Sequence, residues 1–187
     1  MLDTTSFRSG LKIEYEGEPY IIVDCQHVKP GKGVAFVKTR MKNLRTGTTL
    51  DVNFRSGDKV GVPDIETKDM QYLYQDGDLF YFMDMETYDQ KPITEDQLGD
   101  TRKYIKENSI VSVLFYKGVP ISVEVPMKVE LRIVKAEPGV RGDTAQGATK
   151  PAVLETGAIV QVPLFVEEGE IIRVDTRTNT YIERVRG

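Results

Sequence analysis

The stretch LKIEYEGEPYIIV, residues 11–23, decides the fold class. Apolar and polar side chains alternate through Leu11-Lys12-Ile13-Glu14-Tyr15, the period of a strand with one wet face. Glu16-Gly17 interrupts it, and Tyr20-Ile21-Ile22-Val23 resumes as a second strand. Working outward, Val34 to Met41 reads as a third strand. Residues 48–54 (TTLDVNF), after the turn signal Arg45-Thr46-Gly47, read as a fourth. Short strands joined by tight turns within about 60 residues predict a small SH3-like barrel.

The same texture continues to the end of the chain. Gly61-Val62-Pro63-Asp64 marks a boundary, because Pro63 cannot donate to a sheet ladder and restricts Val62. Residues 70–84 (MQYLYQDGDLFYFMD) place aromatic strands on either side of the turn Gln75-Asp76-Gly77-Asp78. Ile93 to Ile105 is the best helical segment. Thr94 is its expected N-cap, Glu95-Asp96 lie in its first turn, and Gly99 cuts it short. Strands follow at 110–116 and 119–125, and Pro126-Met127 offers a second boundary. Residues 128–135, 158–162, 164–166, 171–175 and 180–185 read as strands, with a long loop over 136–151. Ile110-Val111-Ser112-Val113 echoes Ile159-Val160-Gln161-Val162. Two related five-stranded OB barrels would explain the echo, and so would coincidence between β-rich segments.

The chain has 187 residues and a formal net charge of −4. Residues 1–63 hold 10 Lys and Arg against 7 Asp and Glu, residues 64–126 hold 6 against 13, and residues 127–187 hold 9 against 9. A basic head, an acidic middle and a neutral tail suggest different surroundings for each part, although small domains also vary by a few charges. No apolar run approaches the ~18 residues of a membrane span. MLDTTSFRSG lacks the features of a secretory signal. With Cys25 the single cysteine, no internal disulfide forms, and a cytoplasmic setting is expected.

Catalytic and metal chemistry find little support. One histidine and one cysteine cannot build a four-ligand Cys/His zinc site. Cys25 and His27 lack a visible orienting partner for nucleophilic work. Gly31-Lys32-Gly33 fails the phosphate-loop pattern, which requires Ser or Thr after the lysine. The carboxylates of 64–100 are spread evenly, as on a solvated surface. No cofactor and no metal are expected.

What stands out is Lys29-Pro30-Gly31-Lys32-Gly33. Pro30 and Gly31 fit a type II turn, with positive φ at Gly31. Gly33 then returns the chain to the strand. The expected product is a slim tip presenting Lys32 as a flexible cation, suited to a phosphate or to a modifying enzyme. Beyond the tip, Lys38, Arg40 and Lys42 share one strand face with Phe36. They make a basic stripe that suits a phosphate backbone, and equally a solvated strand face.

Two segments carry a family resemblance. HVKPGKGVAFVKTRMKNLRTG, residues 27–47, is similar to the first domain of the bacterial elongation factor P family. GDTAQGATKPAVLETGAIVQVPLFVEEGEIIRVDTRTNTYIERV, residues 142–185, is similar to that family's third domain, through Lys150, Ala152, Gly157, Val162-Pro163 and Gly169. The resemblance covers essentially the whole chain. It implies a mostly β protein of three small barrels in an elongated, tRNA-like arrangement: an SH3-like (KOW-like) domain over 1–63, an acidic OB-fold domain over 64–126 and a C-terminal OB-fold domain over 127–187. It implies a monomeric, non-enzymatic cytoplasmic factor that binds both subunits of the ribosome between the peptidyl and exit sites. There it would steady peptidyl-tRNA while consecutive prolines are joined. The family's functional lysine, often extended by a modifying enzyme, falls on Lys32. The loop Gly142-Asp143-Thr144-Ala145-Gln146-Gly147 matches the one that approaches the small subunit and the exit-site codon. Residues alone leave that loop readable as a flexible connector. An RNA-binding module of KOW and OB type, an elongation factor P-like paralogue, and an enzyme using carboxylates of 64–100 are the rival readings.

Overall fold

The computed structural model describes residues 1–139 and 148–186. Strands β1 (Leu2–Asp3), β2 (Lys12–Tyr15), β3 (Glu18–Val28), β4 (Phe36–Asn43), β5 (Thr49–Arg55) and β6 (Lys59–Val60) come first. The antiparallel meander β2-β3-β4-β5 forms one sheet, and β1 pairs with β6. Glu16 and Gly17, both at positive φ (50° and 77°), turn β2 into β3 with the hand that suits strand twist. Along β4, Val37, Thr39, Met41 and Asn43 are buried while Lys38, Arg40 and Lys42 are exposed. Of the buried set, Val37 and Met41 join Phe7, Ile13, Ile22, Phe54 and Val60 in one core. The Phe54 ring meets Phe7 and Tyr15 edge-on at 5.3 and 5.5 Å, the favoured geometry for aromatic quadrupoles.

Strands β7 (Ile65–Asp76), β8 (Leu79–Asp84), β9 (Gln90–Thr94), β10 (Ile110–Tyr116) and β11 (Val119–Glu124) form a second sheet in the order β11-β10-β7-β8-β9. Strands β12 (Lys128–Ala136), β13 (Thr149–Leu154), β14 (Ile159–Pro163), β15 (Ile171–Asp175) and β16 (Thr180–Val185) form a third, ordered β14-β13-β12-β15-β16. Numbered within its own sheet, each runs third-second-first-fourth-fifth, the OB order. Each first strand also carries an extra residue against its second strand, Leu73 in β7 and Val134 in β12. The relationship between the two barrels is therefore real, but the sequence echo aligns them wrongly. Ile110–Val113 lies on a fourth strand and Ile159–Val162 on a third.

Helix α1 spans only Glu95–Leu98 and continues as a 3-10 segment over Gly99–Tyr104. Thr94 caps it as expected. Its hydroxyl accepts from Gln97 N–H at 3.2 Å, and Gln97 Oε1 accepts from Thr94 N–H at 2.9 Å. Ile93, expected in the helix, is a buried residue of β9. The 3-10 segment ends by inserting Tyr104 into the third barrel's core, among Leu131, Ile133, Leu154 and Val160. Two strand expectations are corrected. Residues 149–154 are a strand, β13. Residues 164–166 are not; Val166 is buried from a turn closed by its N–H to the Pro163 carbonyl at 3.1 Å.

The chain divides into two compact units, Met1–Thr67 with Leu114–Ser122, and Lys68–Val113 with Val123–Gly187. No helix among the described residues is long and apolar enough to cross a membrane.

Candidate functional site

The site is built by the ladder between β3 and β4. The register changes at Val23: Ile22 faces Met41, but Asp24 faces Arg40. Val23 is thus an extra residue on β3, half exposed. Beyond it the partners of Thr39 and Val37 are Cys25 and His27, and the last pair is Val28 with Phe36. Residues 29–35 cross between the strands, and Lys32 is the middle one.

The tip differs from the expected turn. Positive φ belongs to Gly33 (106°), not to Gly31. A type II turn over 29–32 requires it at Gly31, and no backbone hydrogen bond closes that turn. The loop is a wider bend with Lys29, Gly31, Lys32, Gly33 and Val34 exposed and Pro30 half-buried. Val34 is 67% exposed, so β4 begins at Phe36 rather than at residue 34. A Cβ added at Gly31 would touch nothing within 4 Å. The Lys32 ammonium has no partner among the described residues.

Behind the tip, the His27 ring donates through Nε2 to the Phe7 carbonyl at 3.2 Å. This ties the finger to the segment after β1. Cys25 is half-buried against the first core. Burial pushes its thiol up, with Asp24 adding to the effect, so it stays protonated and inert. Among the described residues no hydrogen bond joins the two side chains to each other or to an orienting carboxylate.

Lys38, Arg40 and Lys42 all lie on the outer face of the sheet, but they are not equivalent. Arg40 stands between Asp24 of β3 and Asp51 of β5. Its Nε donates to Asp51 Oδ1 at 3.0 Å, and the Asp51 carboxylate, aided by Asp24, pushes the guanidinium further up. Lys38 stands between Gln26 and Asn53, and Lys42 between Ile21 and Thr49. Neither lysine makes an ion pair among the described residues. The Asp51 partner follows from the register of the β4–β5 hairpin, which sets residue 40 opposite residue 51; a turn centred on Thr46 would have set it opposite Val52. Asp24 reaches Arg40 because the bulge at Val23 shifts the β3 register.

The loop residues Gly142, Asp143, Thr144, Ala145, Gln146 and Gly147 lie outside the described residues. Among the described residues no cluster of three His, Cys, Asp or Glu side chains is placed to hold a metal. A cleft of about 550 Å³ beside Tyr72, Phe80 and Arg102 takes no carboxylate from 64–100; its acidic residues are Glu107 and Glu155.

Comparison with known proteins turns this geometry into a family assignment. The elongation factor P KOW-like domain matches residues 3–60, the elongation factor P OB domain residues 65–123, and the elongation factor P C-terminal domain residues 129–184. Elongation factor P of Moorella thermoacetica is 54% identical over 98% of this chain and its own full length. That of Coprothermobacter proteolyticus is 55% identical over 99% of this chain and all of its own. The chain belongs to the elongation factor P family. Elongation factor P is a translation elongation factor, and the mostly β architecture of one KOW-like and two OB modules is that of its family. The fold extends further: an archaeal protein described as eukaryotic translation initiation factor 5A, from Methanococcus jannaschii, aligns with a TM-score of 0.55 and 23% identity. The alignment covers 65% of this chain and 92% of that one.

Proposed function

We propose that this member of the elongation factor P family binds the ribosome, contacting both subunits between the peptidyl and exit sites, and promotes peptide-bond formation at consecutive prolines by bracing peptidyl-tRNA. The observation that carries the reading is Lys32. It is the central residue of the crossing between β3 and β4, exposed and unpartnered among the described residues, on a bend with almost no side-chain bulk beside it. Such a finger enters a cavity that a bulkier loop would not. Proline is a poor partner in peptide transfer, and a misplaced acceptor end adds an entropic part to the barrier. Holding that end lowers the barrier without any reacting group from the protein. A tenfold gain in rate asks for only ~1.4 kcal/mol, within reach of a few hydrogen bonds to RNA. The catalyst is then ribosomal RNA, and the factor is a cytoplasmic monomer and not an enzyme.

In the same reading the three working modules are residues 1–63, 64–126 and 127–187. Lys32 is the residue a lysine-modifying enzyme would extend, and the loop 142–147 is the element that reaches the small subunit near the exit-site codon. Lys29, Pro30, Gly31 and Gly33 shape the tip. The test is translation of a Pro-Pro-Pro reporter in a purified system. Wild type relieves the pause; Lys32→Ala, whose side chain supports no part of the fold, keeps the melting temperature and loses the relief. Equal reporter rates with and without the wild-type protein would refute the role.

A further inference from the structure

Beside the tip, the outer face of β3-β4-β5 carries two successive cross-strand rows of opposite character. The row nearer the tip is Gln26–Lys38–Asn53, and the next is Asp24–Arg40–Asp51. In the first row all three side chains are exposed, and none has a hydrogen bond or ion pair among the described residues. In the second the arginine is bound to Asp51 and flanked by Asp24, so that row sums to one negative charge. Both rows border one shallow groove of about 410 Å³.

We infer that the Gln26–Lys38–Asn53 row is a binding site for one phosphate of an RNA backbone, and that the Asp24–Arg40–Asp51 row is a negative border that stops the strand from running along β4. The inference rests on the ribosome-binding reading above and names the residues of the first barrel that grip RNA. Adjacent strands lie about 4.8 Å apart, so the two amides stand on either side of the ammonium, roughly 10 Å from each other. An ammonium suits a phosphate oxygen. A carboxamide both donates and accepts, as does a ribose 2′-hydroxyl, so amide–cation–amide matches hydroxyl–phosphate–hydroxyl. A phosphate that moved one row along would meet Asp24 and Asp51. The contact is therefore fixed in register next to Lys32, and the three cations do not act as a continuous rail.

The experiment measures binding of the full-length protein to ribosomes carrying peptidyl-tRNA, over a series of salt concentrations. Lys38→Gln is expected to weaken binding about tenfold and to flatten the slope of log affinity against log salt by about 0.7–0.9, the share of one phosphate. Asn53→Ala is expected to weaken binding several-fold with the slope unchanged. Asp24→Asn with Asp51→Asn is expected to tighten binding and steepen the slope, since Arg40 is released to a second phosphate. A photo-crosslinking azidophenylalanine at position 53 is expected to join RNA. An unchanged slope for Lys38→Gln, unchanged or weaker binding for the double asparagine variant, or a crosslink to protein alone would each overturn the site. If wild type binds these ribosomes and Lys38→Gln binds as well, the site fails and the functional reading stands. If wild type does not bind them, both fall.

Discussion

At the scale of single residues, the two glycines of the tip carry different burdens. Gly33 holds a φ of 106°, which a side chain adopts only under strain. Gly31 has an ordinary φ and open space around its α-carbon. Gly33→Ala is therefore expected to cost about 1 kcal/mol of stability or to distort the bend. Gly31→Ala should leave the melting temperature unchanged. If the finger works inside a close-walled RNA cavity, Gly31→Ala will still depress the Pro-Pro-Pro reporter, because the added methyl group meets the partner and not the fold. Thermal melting and the reporter, run on both variants, separate the two burdens. Asp84 illustrates a residue whose work is wholly internal. Its Oδ1 accepts from Glu86 N–H at 2.8 Å and Thr87 N–H at 3.3 Å, and its Oδ2 lies 3.3 Å from Lys68 Nζ. The Glu86 amide first, then the Thr87 amide and Lys68, hold its carboxyl below the ordinary 3.8, against the opposing effect of burial. A depressed carboxylate stabilises the fold above its unfolded pKa and ceases to do so as pH falls through its folded value. The stability gap between wild type and Asp84→Asn should therefore be full above about pH 5 and close only as pH falls through the folded value, which lies below 3.8, in denaturant titrations.

Elements join into larger pieces through few side chains. Tyr104 leaves the 3-10 segment to fill the third barrel's core, and its hydroxyl donates to Asn179 Oδ1 at 2.8 Å. Asn179 in turn donates to the Ile159 carbonyl at 2.9 Å, tying the β15–β16 turn to β14. The Thr156 hydroxyl also donates to the Lys103 carbonyl. Tyr104→Phe should cost about 1 kcal/mol, the net worth of one hydrogen bond, whereas Tyr104→Ala should cost about 3–5 kcal/mol through the cavity it leaves. Urea unfolding of both variants checks the ratio. None of this was visible in the sequence, where Tyr104 is one aromatic residue in a broken helical stretch. What was legible follows a rule. Strands with a clean alternation and a glycine turn, such as Lys12–Tyr15 and Phe36–Asn43, were readable because period two is a local property. β13 was not, because its inward positions are Lys150, Ala152 and Leu154 and Pro151 sits between them. A buried lysine and a proline conceal the strand. The apolar Leu164-Phe165-Val166 misled in the opposite sense: Val166 is buried from a turn, and Phe165 is 59% exposed. The bulges at Val23, Leu73 and Val134 also escaped, since an extra residue leaves no mark in composition. Of the site, Lys32 and its glycines were legible as a presented tip. The unequal standing of Lys38, Arg40 and Lys42 was not, because it depends on which residues of β3 and β5 lie opposite.

At the scale of the whole chain, the uneven charge limits where RNA can be met. Residues 1–63 hold 10 cations against 7 anions, and residues 64–126 hold 6 against 13. Binding to a phosphate backbone gains from each counterion released, and an acidic module works against it. On the proposed function, an acidic middle segment would concentrate RNA contact on the other modules and suppress the non-specific sticking that a uniformly basic factor would show among abundant RNA. This has a test on the solvent side of the β7–β8 turn, where Asp76 and Asp78 are exposed. Asp76→Lys with Asp78→Lys should leave the fold intact and tighten binding to bulk ribosomal RNA at low salt by several-fold. The same variant should not speed the Pro-Pro-Pro reporter, and with excess RNA present it should slow it, because the factor is then held away from its place. A variant that gained RNA affinity and reporter rate together would show instead that the acidic segment merely weakens a general attraction, and that position along the chain does not matter.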